Sequence, residues 1–199
     1  MFIIGFFTGS IIRMISGLIL LLFLLFGLFV VALGALAASG GPSPCAPGGG
    51  PITVDAANAA SFQQKWDAMD LTLNSGTPAS AQFNESEISS RADTYLEEHD
   101  VGFSDPHVCI YDGKGEGTAT FSLLGIDVKV SVRGTMDLTG DHPKARIDEI
   151  EVGNVPGFLL APVEGAVNRA IDSALDDIDL EHSYGLQLTP GQADVNGTP

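Results

Sequence analysis

Hydrophobic and polar positions divide this chain sharply, beginning with an uncharged run of 25 residues, Met14 to Ala38, dominated by Leu, Phe, Val and Ile. As a helix rising about 1.5 Å per residue it reaches roughly 37 Å, enough to cross a hydrocarbon core of about 30 Å with some tilt. Arg13 is the only charge before Asp55 and sits at the amino end of the run. The positive-inside rule then leaves residues 1–13 cytoplasmic or interfacial and puts the rest of the chain outside the cell. This reading is a single-pass signal anchor in the cell membrane. A cleaved signal peptide is the competing reading, because Ala35, Leu36 and Ala37 form a small-x-small site. A signal-peptide core of about 7 to 15 residues is much shorter than this run, which favours the anchor.

Residues 39–51, SGGPSPCAPGGGP, mix Pro and Gly so densely that no helix survives, and they read as a spacer that buries nothing. Residues 52–199 are then one extracytoplasmic domain of ordinary size. Its first element is a helix over Asp55 to Asn74, with Phe62, Trp66, Met69 and Leu73 at helical spacing and Asp55 or Asn58 as cap. A second helix runs from Glu85 to about Glu98, opened by the capping-box pair Asn84 and Glu87, with Ile88, Ala92, Tyr95 and Leu96 as its apolar stripe. Asn84 also heads an Asn-Glu-Ser sequon, which at this helix start reads as a cap.

From His107 the period becomes two. Val108 to Tyr111 is a short strand, Asp112 to Gly115 a turn, and Glu116 to Leu124 alternates Gly117, Ala119, Phe121 and Leu123 against Thr118, Thr120 and Ser122. Ile126, Val128, Val130 and Val132 continue the alternation through Met136 and Leu138, giving one apolar face and one wet face. A further strand spans Lys144 to Val152, and the slip of parity between Ile147 and Ile150 predicts a bulge. Hairpin-length connections make the sheet antiparallel. Its cover is a long amphipathic helix from Phe158 to Ile178, apolar through Leu159, Leu160, Val163, Val167, Ile171, Ala174, Leu175 and Ile178. Tyr184 to Thr198 reads as one or two closing strands around a Pro190 to Gly191 turn. The class is α+β: a transmembrane helix, then an antiparallel sheet of four to six strands with the long helix and one or two more.

Charge and cysteine usage narrow the function. With 25 acidic against 9 basic residues the formal charge is −16, a sign that repels nucleic acid. Two cysteines are too few for a disulfide scaffold. A Cys45–Cys109 bond requires the spacer to fold back onto the domain; the alternative is Cys109 as a small buried hydrophobe. His99, His107, His142 and His182 are isolated, with no HExxH motif and no Gly-x-Ser-x-Gly elbow. The Gly113 and Gly115 turn lacks the setting of a phosphate cradle. No catalytic residue, cofactor or metal is expected. The unusual group is Asp176, Asp177, Asp179, Glu181 and His182, a solvated face or a weak divalent-cation site.

The order of parts, with the helix start FNESEIS (Phe83 to Ser89), the joint EVGNVPGF (Glu151 to Phe158) before the amphipathic helix, and the final PG turn, resembles the YpmS and LmeA-like group of membrane-anchored bacterial domains, related in shape to TULIP lipid-binding half-domains. The likeness covers Phe62 to Thr198 and departs at Phe83 and Asn84, where the group carries Leu and Thr. It implies a curved sheet wrapped around the long helix, with an apolar groove for an acyl chain. Val128, Val130, Val132, Val163, Val167 and Ile171 line that groove. A strand of about 40 Å outreaches a helix of about 30 Å, so part of the apolar face needs another cover, the helix from Glu85 or a lipid. The function expected is a membrane-anchored domain that binds a lipid or other apolar ligand; a ligand-free tethered module that holds an envelope protein is the alternative.

Overall fold

The computed structural model describes residues 41–99, 102–123, 126–153, 167–168, 171, 175 and 180–199. Met14 to Ala38 and most of Phe158 to Ile178 lie outside these, and among the described residues no helix is long and apolar enough to cross a membrane. Helix α1 (Ala56–Asn74) starts where Asp55 accepts a hydrogen bond from Asn58 N, the expected cap. Strand β1 (Ala79–Asn84) follows. Helix α2 (Glu85–His99) opens on the predicted capping box: Glu87 N donates to Asn84 Oδ1 at 2.9 Å, and Asn84 N donates to Glu87 Oε2 at 3.0 Å.

The remaining strands are β2 (Phe103–Tyr111), β3 (Lys114–Leu123), β4 (Ile126–Asp137), β5 (Lys144–Val152), β6 (Ser183–Thr189) and β7 (Gln192–Thr198). Among the described residues the chain is α+β, and every strand pairing is antiparallel. The strands form two sheets, β2-β3-β4-β5 and β1-β7-β6, where alternation along the sequence suggested one. Strand β1 has no expectation behind it: ASAQFN is short and only Phe83 is buried, so it carries no clear period. Its partner is β7, with Phe83 opposite Ala193 and Ala79 opposite Gly197. The bulge falls as the parity slip requires, since Arg133 pairs with Glu149 while Gly134 pairs with Ile147, leaving Asp148 extra. At Gly134 any Cβ would overlap the Arg146 carbonyl oxygen, which explains glycine at this corner.

Among the described residues, two apolar clusters hold the fold. In the first, α1 lies on the three-stranded sheet, and Met69, Leu73, Phe83, Leu138, Tyr184 and Val195 are buried with Phe62 and Trp66 against them. The rings of Phe62 and Phe83 stand 4.5 Å apart, and Trp66 stacks on Tyr184 at 5.5 Å. In the second, the predicted apolar face of the four-stranded sheet carries Val128, Val130 and Val152 against Val167, with Phe103, Phe121, Val132, Ile150 and Ile171 around them. Phe121 pairs with Val128 and Ala119 with Val130, so the alternation read along the sequence matches the register across strands.

Candidate functional site

Three places in this architecture bring chemistry together: the valine face, the opposite face of the same sheet, and the polar helix α2 between them and α1. On the valine face, Val128, Val130 and Val167 are buried in mutual contact, while Val132 and Ile171 are half-buried at the rim. Val163 lies outside the described residues.

The opposite face was expected to be wet, and residues 39–51 to be a spacer. From Gly41 onward the structure corrects both expectations. Cys45 is bonded to Cys109, whose Cα lies 6.0 Å away, so the Pro/Gly segment is folded back over β2 and β3 as a strap. Ala46 N donates to Tyr111 Oη at 3.2 Å. Tyr111 Oη in turn donates to Glu116 Oε2, which Arg133 pairs at 3.0 Å. Glu116 and Ser131, on the nominally solvated parity, are buried. Burial pushes the Tyr111 phenol above its ordinary pKa, and the neighbouring Glu116 adds to the effect.

Farther along the strap, Gly48 N and Gly49 N each donate at 3.0 Å to the Glu85 carboxylate, and Ile110 N donates to its Oε1 at 2.7 Å. Here the lack of side chains is a packing requirement, because a Cβ at Gly48 would fall 2.6 Å from Gly191 N. Gly191, at φ 84°, closes the β6–β7 turn and donates its own N–H to Ile110 O at 3.0 Å. The strap, the hairpin turn and β2 therefore meet at one buried carboxylate.

Helix α2 supplies the polar groups that bind these parts together. Strand β2 is an edge, with outward N–H groups needing acceptors. Ser89 Oγ takes Val108 N at 2.8 Å and Glu85 takes Ile110 N; residues four apart on one helix face thus cap alternate residues of the strand. On the next face, Ser86 Oγ accepts from Thr53 N and Ser90 Oγ from Asp55 N, both at 3.0 Å. Glu87 accepts from Lys65 Nζ at 2.8 Å and from Ser61 Oγ on α1. The apolar stripe predicted for α2 is only half-buried, whereas its fully buried residues are Glu85, Glu87, Ser89 and Ser90. The sequence signal for this was the ESEISS run itself, with polar residues at i, i+4 spacing, which a reading based on apolar periodicity passes over.

Burial raises the Glu87 pKa, but the hydrogen bonds from Lys65, Ser61 and Asn84 N outweigh it and leave the carboxyl below its ordinary value. Unfolded, a glutamate titrates near about 4.3. The stabilisation from Glu87 is therefore complete above that pH and lost as pH falls through the lower folded value. In denaturant titrations, Glu87→Gln is expected to be less stable than the parent at pH 7, with the gap narrowing by pH 3.5. A gap that stays constant would show that the carboxyl titrates alike in both states.

Between strap and sheet lies a half-open cleft of about 470 Å3. Pro42, Pro44, Pro47 and Ile52 form its roof, and Thr118, Thr120, Lys129 and His107 its floor. Asp105, at its edge, holds φ 52° within the β2 irregularity between Ser104 and His107. The roof is apolar and the floor mixes these polar side chains with Ala119 and Val130, a lining that suits a ligand with an apolar body and a few polar groups. Comparison with protein-family models, with curated proteins and with solved structures gives no match.

Proposed function

We propose that this chain is a membrane-anchored extracytoplasmic domain that binds a lipid or other apolar ligand, and that the ligand enters the cleft under the strap. The observation that carries the reading is position. The cleft's first roof residue, Pro42, follows Ala38 by only four residues. If Met14 to Ala38 spans the bilayer, the cleft opens at the membrane surface, within reach of an acyl chain. Its volume falls within the range of about 300 to 1,000 Å3 usual for small-ligand pockets. The order of parts that resembles the YpmS and LmeA-like group supports the same reading, and the apolar groove expected from the sequence at Val128, Val130, Val132, Val163, Val167 and Ile171 is the alternative seat.

The test is photolabelling of the full chain in lipid vesicles with a photoactivatable fatty acid, followed by peptide mapping. Label on residues 42–52 and 118–129, abolished by filling the cleft with Thr118→Trp, is the expected result. Label on Val163 to Ile171 that survives Thr118→Trp moves the site to the valine face. Label confined to Met14 to Ala38 removes ligand binding and leaves the tethered interaction module.

A further inference from the structure

Away from the strap, at the far end of α1, the fold brings together donor atoms widely separated in sequence. His182, just before β6, lies 3.9 Å through Nε2 from Asp70 Oδ1 on α1. One donor atom each from Asp70, Glu181 and His182 lie within 4.8 Å of one another. We infer that Asp70, Glu181 and His182 form a site for a divalent transition-metal ion, of which Zn2+ is the representative, with its remaining coordination completed by water.

Several features distinguish the group from a solvated acidic face. The His182 side chain is only 12% exposed, and Tyr184 packs edge-on to its ring, so the imidazole is held in place. Asn74, one turn beyond Asp70, donates through Nδ2 to Asp70 Oδ2 at 3.0 Å, fixing the carboxylate with Oδ1 toward the imidazole. Such a contact from outside the ligand set is how metal-binding carboxylates are oriented. Asn74 Oδ1 also lies 3.2 Å from His182 Nε2. There Nε2–H donates to the Asn74 oxygen, so a metal on Nε2 would displace this proton and release Asn74 Oδ1. Glu181 is exposed, and its carboxylate would move closer than the present spacing to meet metal bonds of about 2.0 to 2.2 Å. An imidazole with two carboxylates suits Zn2+ better than Ca2+, which takes oxygen ligands only. The ion would tie α1 to the strand that follows the long amphipathic segment, beside the aromatic core at Trp66 and Tyr184.

The test uses the full chain in nanodiscs after EDTA treatment, titrated calorimetrically with Zn2+. One saturable Zn2+ per chain is expected, with Ca2+ unable to displace it, and Asp70→Asn and His182→Gln each weakening it by about tenfold or more. Absence of saturable heat overturns the site, as does parental affinity in both variants, which would assign the metal to other surface histidines. A measurement on the unaltered chain guards against variants that fail to fold. Mn2+ should broaden amide resonances most at Asp70, Asn74 and His182, and broadening centred elsewhere overturns the inference.

Discussion

Glu85→Ala is expected to destabilise the protein by about 3 to 6 kcal/mol and to free the strap from the domain. The carboxylate accepts from three backbone N–H groups on two segments, and among the described residues these donors have no second acceptor. A buried donor stripped of its partner costs about 1 to 3 kcal/mol. The Ile110 N–H pays that in full, while Gly48 and Gly49, nearer the surface, recover part of it from water. Removal also uncovers the edge of β2 and loosens the β6–β7 turn, whose Gly191 N–H donates to the Ile110 carbonyl. Glu85→Gln is the informative companion, because its amide keeps one acceptor oxygen and turns the other position into a donor facing a donor. It should lie between the parent and Glu85→Ala. Denaturant unfolding measures the loss, and limited proteolysis between Pro42 and Ile52 reports release of the strap. A variant with parental stability and a protected strap would show that the carboxylate is incidental to docking.

Removing the disulfide, with Cys45→Ser and Cys109→Ala together, is expected to lower stability by about 2 to 4 kcal/mol. The bridge closes a loop of sequence separation 64, and confining so long a loop in the unfolded chain accounts for roughly 4 kcal/mol in the chain-entropy description. Alanine suits position 109 because Cys109 is fully buried and a hydroxyl there would need a partner. A fall in melting temperature of roughly 10 °C is the corresponding thermal signature. Both substitutions act on the strap, so their effects should not add: once the bridge is gone, Glu85→Ala has less docked structure left to lose. A double-mutant cycle that came out additive would mean that the two fastenings hold independent parts of the chain. The cycle bears on the proposed function as well, since the roof of the cleft is the strap and ligand labelling should fall with strap release.

Much of the secondary structure was legible locally. Asp55 and the Asn84–Glu87 box fixed two helix starts because a cap needs only residues within one turn. The alternation of Val128, Val130 and Val132 against Lys129 and Ser131 fixed an inward face because the pleat has period two. Even the bulge at Asp148 was written in a parity slip. What escaped was whatever depends on an acceptor far away in sequence. Glu85 and Ser89 look like solvated helix residues until β2 arrives with two unpaired N–H groups. Pro42 to Gly49 looks like a spacer until Cys109 and Glu85 are in reach. Asp70 looks like one exposed acid among many until the chain returns with Glu181 and His182.

By itself, the sequence determined where α1 and α2 start, most of the strands, the apolar face of β3 and β4, that the pairing is antiparallel, and that a long apolar run precedes an acidic domain. Those properties follow from steric preference, capping and hydrophobic periodicity, all of which act over a few residues. Only the tertiary structure decided that the strands split into two sheets, that β1 pairs with β7, that the Pro/Gly segment is a strap enclosing a cleft, and that the best-buried residues of α2 are polar. These follow from satisfying buried backbone donors and closing a covalent bridge across the fold, and no local pattern encodes which distant group will do so.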